Sequence, residues 1–170
     1  KSIGNSTTMP RDLINYDEMK ITLMVLSESV AARLRQHNLQ CETVQISIRG
    51  TDLSWIERQE KLAAPCCDST TIYLKAYELL KKHHQNGKPV RSLGVRACNL
   101  SLRRFDQMSF IPSVQKSRSH EAVEEVLDNL RSRFGNKIVQ RGIMLTDAAL
   151  SALDPQTNYH NLVLSTVHSQ

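Results

Sequence analysis

No apolar run in this 170-residue chain approaches the length of a membrane span, although 40% of its residues are hydrophobic. A spanning helix needs about 20 such residues in succession, so the sequence predicts a globular domain with no membrane partner. The chain starts at Lys1, carries no signal-peptide pattern, and reads as a piece of a longer protein. Its four cysteines include no CxxC pair, which argues against a zinc site. Adjacent Cys66 and Cys67 do not suit a disulfide framework. Reduced thiols in a cytoplasmic protein are the expectation. Cys66 and Cys67 with His83 and His84 can be drawn as a metal site, but positive charge in the last turn of a helix explains the histidines better. No Gly-rich phosphate loop, HExxH or GxSxG occurs. The carboxylates scatter over predicted helix faces and turns rather than pairing at strand ends. Neither catalysis nor a cofactor is expected within the chain, and no internal repeat or low-complexity run is present.

Charge is present, and it is uneven. Residues 1–104 hold 16 Lys and Arg against 10 Asp and Glu; residues 105–170 hold 6 against 7. A basic first part suggests a polyanionic partner, although a solvated surface carries as much charge.

The periodicity predicts alternating elements. Lys1–Thr8, bounded by Met9-Pro10, reads as a first strand. Met19, Leu23, Leu26, Val30 and Leu34 form one apolar stripe on a helix from about Asp17 to Gln36, and Asn38 tolerates the left-handed position beyond it. Glu42–Arg49 alternates, with Val44, Ile46 and Ile48 on one side and Thr43, Gln45, Ser47 and Arg49 on the other. A turn at 50–52 leads to a weaker strand, Ser54–Leu62. Asp68 or Ser69 caps a second helix to about Gln85, with Ile72, Ala76, Leu79 and Leu80 inside. Val90–Leu102 is a last strand, with Leu93, Val95 and Ala97 on one face and Ser92, Gly94, Arg96 and Cys98 on the other. The expected fold is α+β: a β-α-β-β-α-β four-stranded antiparallel sheet with two helices on one face, plus a C-terminal helical extension. Residues 1–102 form the domain and 103–118 a linker. In the 119–145 extension, Ser119 caps a helix with the stripe Val123, Val126/Leu127, Leu130 and Phe134, and Ile138–Leu145 is extended. Residues 146–170 are a loosely ordered polar tail.

An open sheet face carrying Arg49 and Arg96 beside Gln45, Ser47, Ser92 and Gly94 could lie along phosphates. A base-stacking sheet would need aromatics on its middle strands. The polar faces around Gln45 and Arg96 have none, and only 5% of the chain is aromatic. Contact with backbone is favoured over contact with bases.

"KSIGNSTT" (1–8), "LSESVAARLRQHNLQCETVQISIR" (26–49) and "RSLGVRACNL" (91–100) together resemble the little-finger domain of Y-family translesion DNA polymerases of the bacterial DinB/UmuC-like kind. The resemblance covers about the first hundred residues. It implies a domain that lies in the major groove of template–primer DNA and grips both backbones without reading sequence. By that resemblance Lys1, Ser2, Ile3, Gly4, Asn5 and Ser6 follow one strand's phosphates, largely through main-chain N–H groups, and Arg91 and Arg96 hold phosphates from the last strand. Ser47, Arg49 and Arg58 are further candidates, chosen by face and charge. The parent would be a Mg²⁺-dependent nucleotidyltransferase whose palm, fingers and thumb lie outside this chain.

Between Arg103 and Ser119 the run Gln107-Met108-Ser109-Phe110-Ile111 has no helical or strand period. It is similar to the short sliding-clamp-binding peptide of bacterial members, Gln-Leu-Ser/Asp-Leu-Phe, with Phe110-Ile111 supplying the two apolar anchors in swapped order. "EEVLDNLRSRFGNKIVQRGIML" further resembles a C-terminal extension of UmuC-like members from Gram-positive bacteria. The alternative is a small-molecule regulatory or dimerisation module on a ferredoxin-like frame. It would need an apolar pocket with convergent polar groups, or a polar sheet face buried against a second copy.

Overall fold

The computed structural model describes residues 1–85, 87–103, 112–135 and 138–153. The elements run β1 (Ser2–Leu13), α1 (Tyr16–Gln36), β2 (Leu39–Gly50), β3 (Trp55–Cys66), α2 (Ser69–His83) and β4 (Val90–Leu102). They continue as α3 (Pro112–Phe134), a 3-10 turn at Gly142–Thr146 and a one-turn helix, α4 (Ala148–Ser151). The α+β class and the β-α-β-β-α-β order read from the sequence are both present.

One sheet has the order β1-β4-β2-β3, with every neighbouring pair antiparallel. β4 therefore lies between β1 and β2, and β2 lies between β4 and β3. These are two interleaved split β-α-β units. A ferredoxin-like frame has its first and third strands in the middle; here the second and fourth are central, which corrects the frame of the alternative reading.

Local chemistry starts and stops the helices where it should. The Asn15 side chain accepts from the Glu18 N–H (2.9 Å) to cap α1, and Asn38 takes a φ of 52° just beyond its end. Asp68 caps α2 by accepting from the Thr71 N–H (2.8 Å). The α1 stripe of Met19, Leu23, Leu26, Val30 and Leu34 is buried against Val44, Ile46, Ile48, Leu93, Val95 and Ala97. Each such side chain contributes about 1.5–3 kcal/mol of transfer free energy before entropy is counted. Cys41, Cys66 and Cys67 are buried free thiols in the same core, and burial pushes the Cys67 thiol up to about 12.

The C-terminal third departs from expectation. α3 begins at Pro112, inside the segment read as linker, seven residues before the cap placed at Ser119. Proline suits a first helical turn because its missing N–H would have no partner there. Ile138–Leu145 is not extended throughout, since Gly142–Thr146 closes into 3-10 geometry. The first part of the expected tail is ordered: Leu150 of α4 is fully buried in the main core. Residues 154–170 lie outside the described residues.

The apolar stripe of α3 is only partly covered: Leu127 and Leu130 are half-buried. Val123, Val126 and Phe134 are about 60% exposed. The helix docks instead through Glu121, Glu124, Asp128 and Arg131. Arg35 of α1, its side chain only 6% exposed, donates to both Asp128 oxygens (2.6 and 3.0 Å) and to Glu124. It also donates to the Cys67 carbonyl (2.9 Å). Glu124 accepts from the Ser69 N–H (2.9 Å) and from Arg141 (2.9 Å). Glu28 of α1 accepts from Arg131 (3.1 Å) and Arg141 (2.8 Å). Burial pulls the Arg35 guanidinium toward deprotonation, but Asp128 and Glu124 more than reverse this and hold it charged. The helical layer offers α3 fixed charges at these positions rather than apolar holes, so the polar face wins.

A second tie holds α4. Arg11, in the irregular part of β1, donates to Glu18 (2.8 Å) and Asp147 (2.7 Å). Asp147 also caps α4 through the Ala149 and Leu150 N–H groups (3.0 Å each). The Leu150 N–H and Arg11 hold the Asp147 carboxyl below its ordinary range, and Arg11 does the same for Glu18. A carboxylate with a depressed folded pKa adds stability that is complete above its unfolded pKa and is lost as pH falls through the folded value. The tie should therefore be intact above about pH 5 and fail below about pH 4. Urea midpoints of wild type and Arg11→Ala, measured from pH 7 to pH 3, should converge in acid. A constant gap between the two curves would contradict this assignment.

Candidate nucleic-acid interface

The helices cover one face of the sheet, and α3 and α4 add to that same side. The opposite face is built by the pleat. Because side chains of paired residues share a face, the register lays out four rows across it. Ser2, Cys98, Thr43 and Lys61 form one; Gly4, Arg96, Gln45 and Gln59 the next. Ser6, Gly94, Ser47 and Glu57 form the third, and Thr8, Ser92, Arg49 and Trp55 the fourth. Adjacent strands are about 4.8 Å apart, so each row spans about 14 Å.

Two glycines set the relief of this face. A Cβ on Gly4 would lie 3.0 Å from Arg96 Cγ, so the bare backbone lets the arginine stem lie across β1. A Cβ on Gly94 would lie 2.3 Å from Ser47 Oγ and 3.0 Å from Ser6 Cβ. Gly94 is the floor of a shallow depression between two serines. Thr8 and Ser92 close its far end with a hydroxyl–hydroxyl bond of 2.9 Å.

Arg96 is exposed. Neither Arg96 nor Arg49 forms a side-chain hydrogen bond or ion pair among the described residues. The contrast with Arg35, Arg103, Arg131 and Arg141, all engaged by carboxylates on the helical side, separates structural arginines from available ones. Arg91 is positioned by an irregularity. Arg49 pairs with Ser92 and Gly50 with Val90, so Arg91 is the extra residue of a bulge and is exposed. Bulges re-aim a side chain in this way.

Ser2, Gly4 and Ser6 lie on the open face, whereas Ile3 is in the core and Asn5 is buried, donating to Ser29 Oγ (3.1 Å). Only the main chain of residues 3 and 5 can serve a ligand on the open side. β1 is an edge strand, so alternate N–H groups along it point away from β4. Lys1 precedes the strand and is exposed. Ser47, Arg49 and Arg96 are brought together as expected.

Arg58 is not. It pairs with Ile46, and its neighbour on that side, Glu60, binds Lys75 of α2 at 3.1 Å. Pleat alternation therefore puts Arg58 on the helix side, which removes it from the interface. The same register brings Trp55, the single tryptophan of the chain, onto the open face beside Arg49. Sequence reasoning missed it because the register across the 50–54 turn decides which face β3 presents. Gln107, Met108, Ser109, Phe110 and Ile111 lie outside the described residues.

Among the described residues the small-molecule alternative finds no empty polar pocket in the cavity beside α3. A cavity of about 690 Å³ between α1 and α3 is lined by Glu28, Arg35, Asp128 and Arg131, which already engage one another. Among the described residues no group of three His, Cys, Asp or Glu side chains could hold a metal ion, and no helix is long and apolar enough to cross a membrane.

Comparison with known proteins agrees with this architecture. The chain is similar to DNA polymerase IV of Acetivibrio thermocellus, 44% identical over 154 residues, which is 90% of this chain and 39% of that protein. It is 36% identical over 152 residues to DNA polymerase IV 2 of Bacillus subtilis, 87% of this chain and 36% of that protein. The chain thus spans under two-fifths of the length of these curated relatives. Among solved structures, a complex of the beta-clamp processivity factor and the little finger domain of PolIV matches with a TM-score of 0.51 and 16% identity, over 65% of this chain and 98% of that one. Residues 1–110 match the model of the impB/mucB/samB family C-terminal domain, and the chain belongs to that family.

Proposed function

We propose that this chain is the DNA-gripping accessory domain of a cytoplasmic translesion DNA polymerase. It holds the template–primer backbone without reading sequence and tethers the enzyme to the sliding clamp. The observation that carries this is the open sheet face, where Arg96 and Arg49 stand without carboxylate partners among the described residues, beside small residues that admit a phosphate backbone. Phosphates suit such a surface because cations supply affinity and bare backbone supplies close approach. Polymerisation and its Mg²⁺ ions would belong to the palm, fingers and thumb of the parent.

Binding of the 170-residue chain to primer–template DNA across a salt series tests it. Affinity should be weak and fall steeply with salt, with no preference among sequences. Arg96→Ala should lower affinity for every sequence alike and reduce the salt slope by about one. A flat salt response or a strong sequence preference would sink the proposal.

Clamp tethering rests on Gln107, Met108, Ser109, Phe110 and Ile111, whose one amide and two apolar anchors suit a preformed pocket. The solved neighbour, a little finger in complex with a clamp, supports it. Phe110→Ala should abolish clamp binding and leave DNA binding intact; unchanged clamp affinity would refute the motif.

A further inference from the structure

On the third and fourth rows the open face changes character as it reaches β3. Across β1, β4 and β2 it presents small residues and arginines. On β3, the edge strand, it presents Glu57 and Trp55, paired with Ser47 and Arg49 respectively. Trp55 is 53% exposed. A carboxylate repels a phosphate, so the DNA backbone is not favoured over β3. The same position suits a base, because the exposed indole offers a stacking plane that any base can occupy. Arg49, about 5 Å away on β2, keeps the attached phosphate within reach.

The adjoining turn has the same bias. Leu53 sits at the β2–β3 tip with a φ of 65° and is 60% exposed. A leucine rarely adopts the left-handed region, because its Cβ crowds the following carbonyl there. The tip is held in that shape by hydrogen bonds from the Gly50 N–H to the Ser54 carbonyl (3.0 Å) and from the Ser54 N–H to Asp52 (2.9 Å). Two large apolar side chains are thereby kept in solvent beside a cationic surface.

We infer that the β3 edge binds an unpaired nucleotide, with its base stacked on Trp55, where the template runs single-stranded beyond the duplex. This rests on the backbone-gripping reading and adds to it a contact that the interior of a duplex cannot make, because each base there is already stacked on both faces by its neighbours. Stacking tolerates every base, so the contact keeps the domain indifferent to sequence.

Trp55 is the only tryptophan, so intrinsic fluorescence reports on this position alone. An oligothymidylate of about a dozen nucleotides and a primer–template with a single-stranded overhang should quench it; a blunt duplex should not. Trp55→Ala should weaken binding to the overhang substrate about tenfold while changing blunt-duplex binding by less than about twofold, and Trp55→Phe should retain most of the affinity. Both replacements are at an exposed site outside the core, and thermal melts would verify folding. Unchanged fluorescence while labelled overhang DNA is demonstrably bound would overturn the inference. Equal loss on both substrates for Trp55→Ala would overturn it too. Failure to bind any DNA at low salt would instead overturn the backbone-gripping reading, and this one with it.

Discussion

Replacing Arg35 with methionine is expected to lower the stability of the chain by about 3 kcal/mol and to release α3 from the helical layer. Methionine keeps the stem's volume, so the loss isolates the charge. Removing one member of a buried ion pair usually costs about 3–5 kcal/mol, because the partner is left buried and uncompensated. Here the lower end applies. Glu124 keeps the Ser69 and Arg141 donors, and the Asp128 side chain, 29% exposed, can turn toward water. The readouts are a urea titration followed by circular dichroism and limited proteolysis of the extension. A shift below about 1 kcal/mol would show that α3 is held by something else. Arg35→Met with Asp128→Leu should recover part of the loss, since an apolar pair replaces an ionic one at little net cost. DNA affinity should barely change in either variant, because the latch and the open face lie on opposite sides of the sheet.

Valine at position 94 is expected to do the reverse: a moderate loss of stability and a large loss of DNA binding. The first carbon of any side chain there would sit 2.3 Å from Ser47 Oγ and 3.0 Å from Ser6 Cβ. β4 is an inner strand held on both sides, so the backbone has little room to yield. Overpacking of this kind costs about 1–3 kcal/mol. The branched side chain would also raise the floor between Ser6 and Ser47, where a phosphate backbone would pass. Loss of one or two contacts of about 1 kcal/mol each lowers affinity on the order of tenfold. Alanine should fall between glycine and valine in both measurements. Full affinity in a folded Gly94→Val protein would show that the backbone does not pass over this row.

Much of the architecture could be read from residue order alone. The α1 stripe, the alternation of Val44, Ile46 and Ile48, and the caps at Asp68 and Asn38 are local signals, and local hydrogen bonding and pleating realise them directly. The strand β4 was legible from end to end, and with it the facing of Arg96 and Gly94. Arg58 and Trp55 were not legible. Their facing is set by the pairing Arg49–Trp55 across a five-residue turn, and a slip of one residue exchanges the two faces. The apolar stripe of α3 misled for a different reason. Periodicity reports which face is greasy, not which partner awaits it, and the surface beneath α3 is made of Arg35, Glu28 and the Ser69 N–H.

The amino-acid sequence by itself determined the element order, the buried faces of α1, α2 and the central strands, and the basic character of the first hundred residues. These depend on hydrophobic period and capping, which act over a few residues. Tertiary structure decided the rest: the β1-β4-β2-β3 order, the bulge that exposes Arg91, the docking of α3 by charge, and which arginines remain available. Each depends on pairing residues distant in the chain. A carboxylate silences an arginine only when the fold brings the two together, as it does for Arg35 with Asp128 and, among the described residues, does not for Arg96.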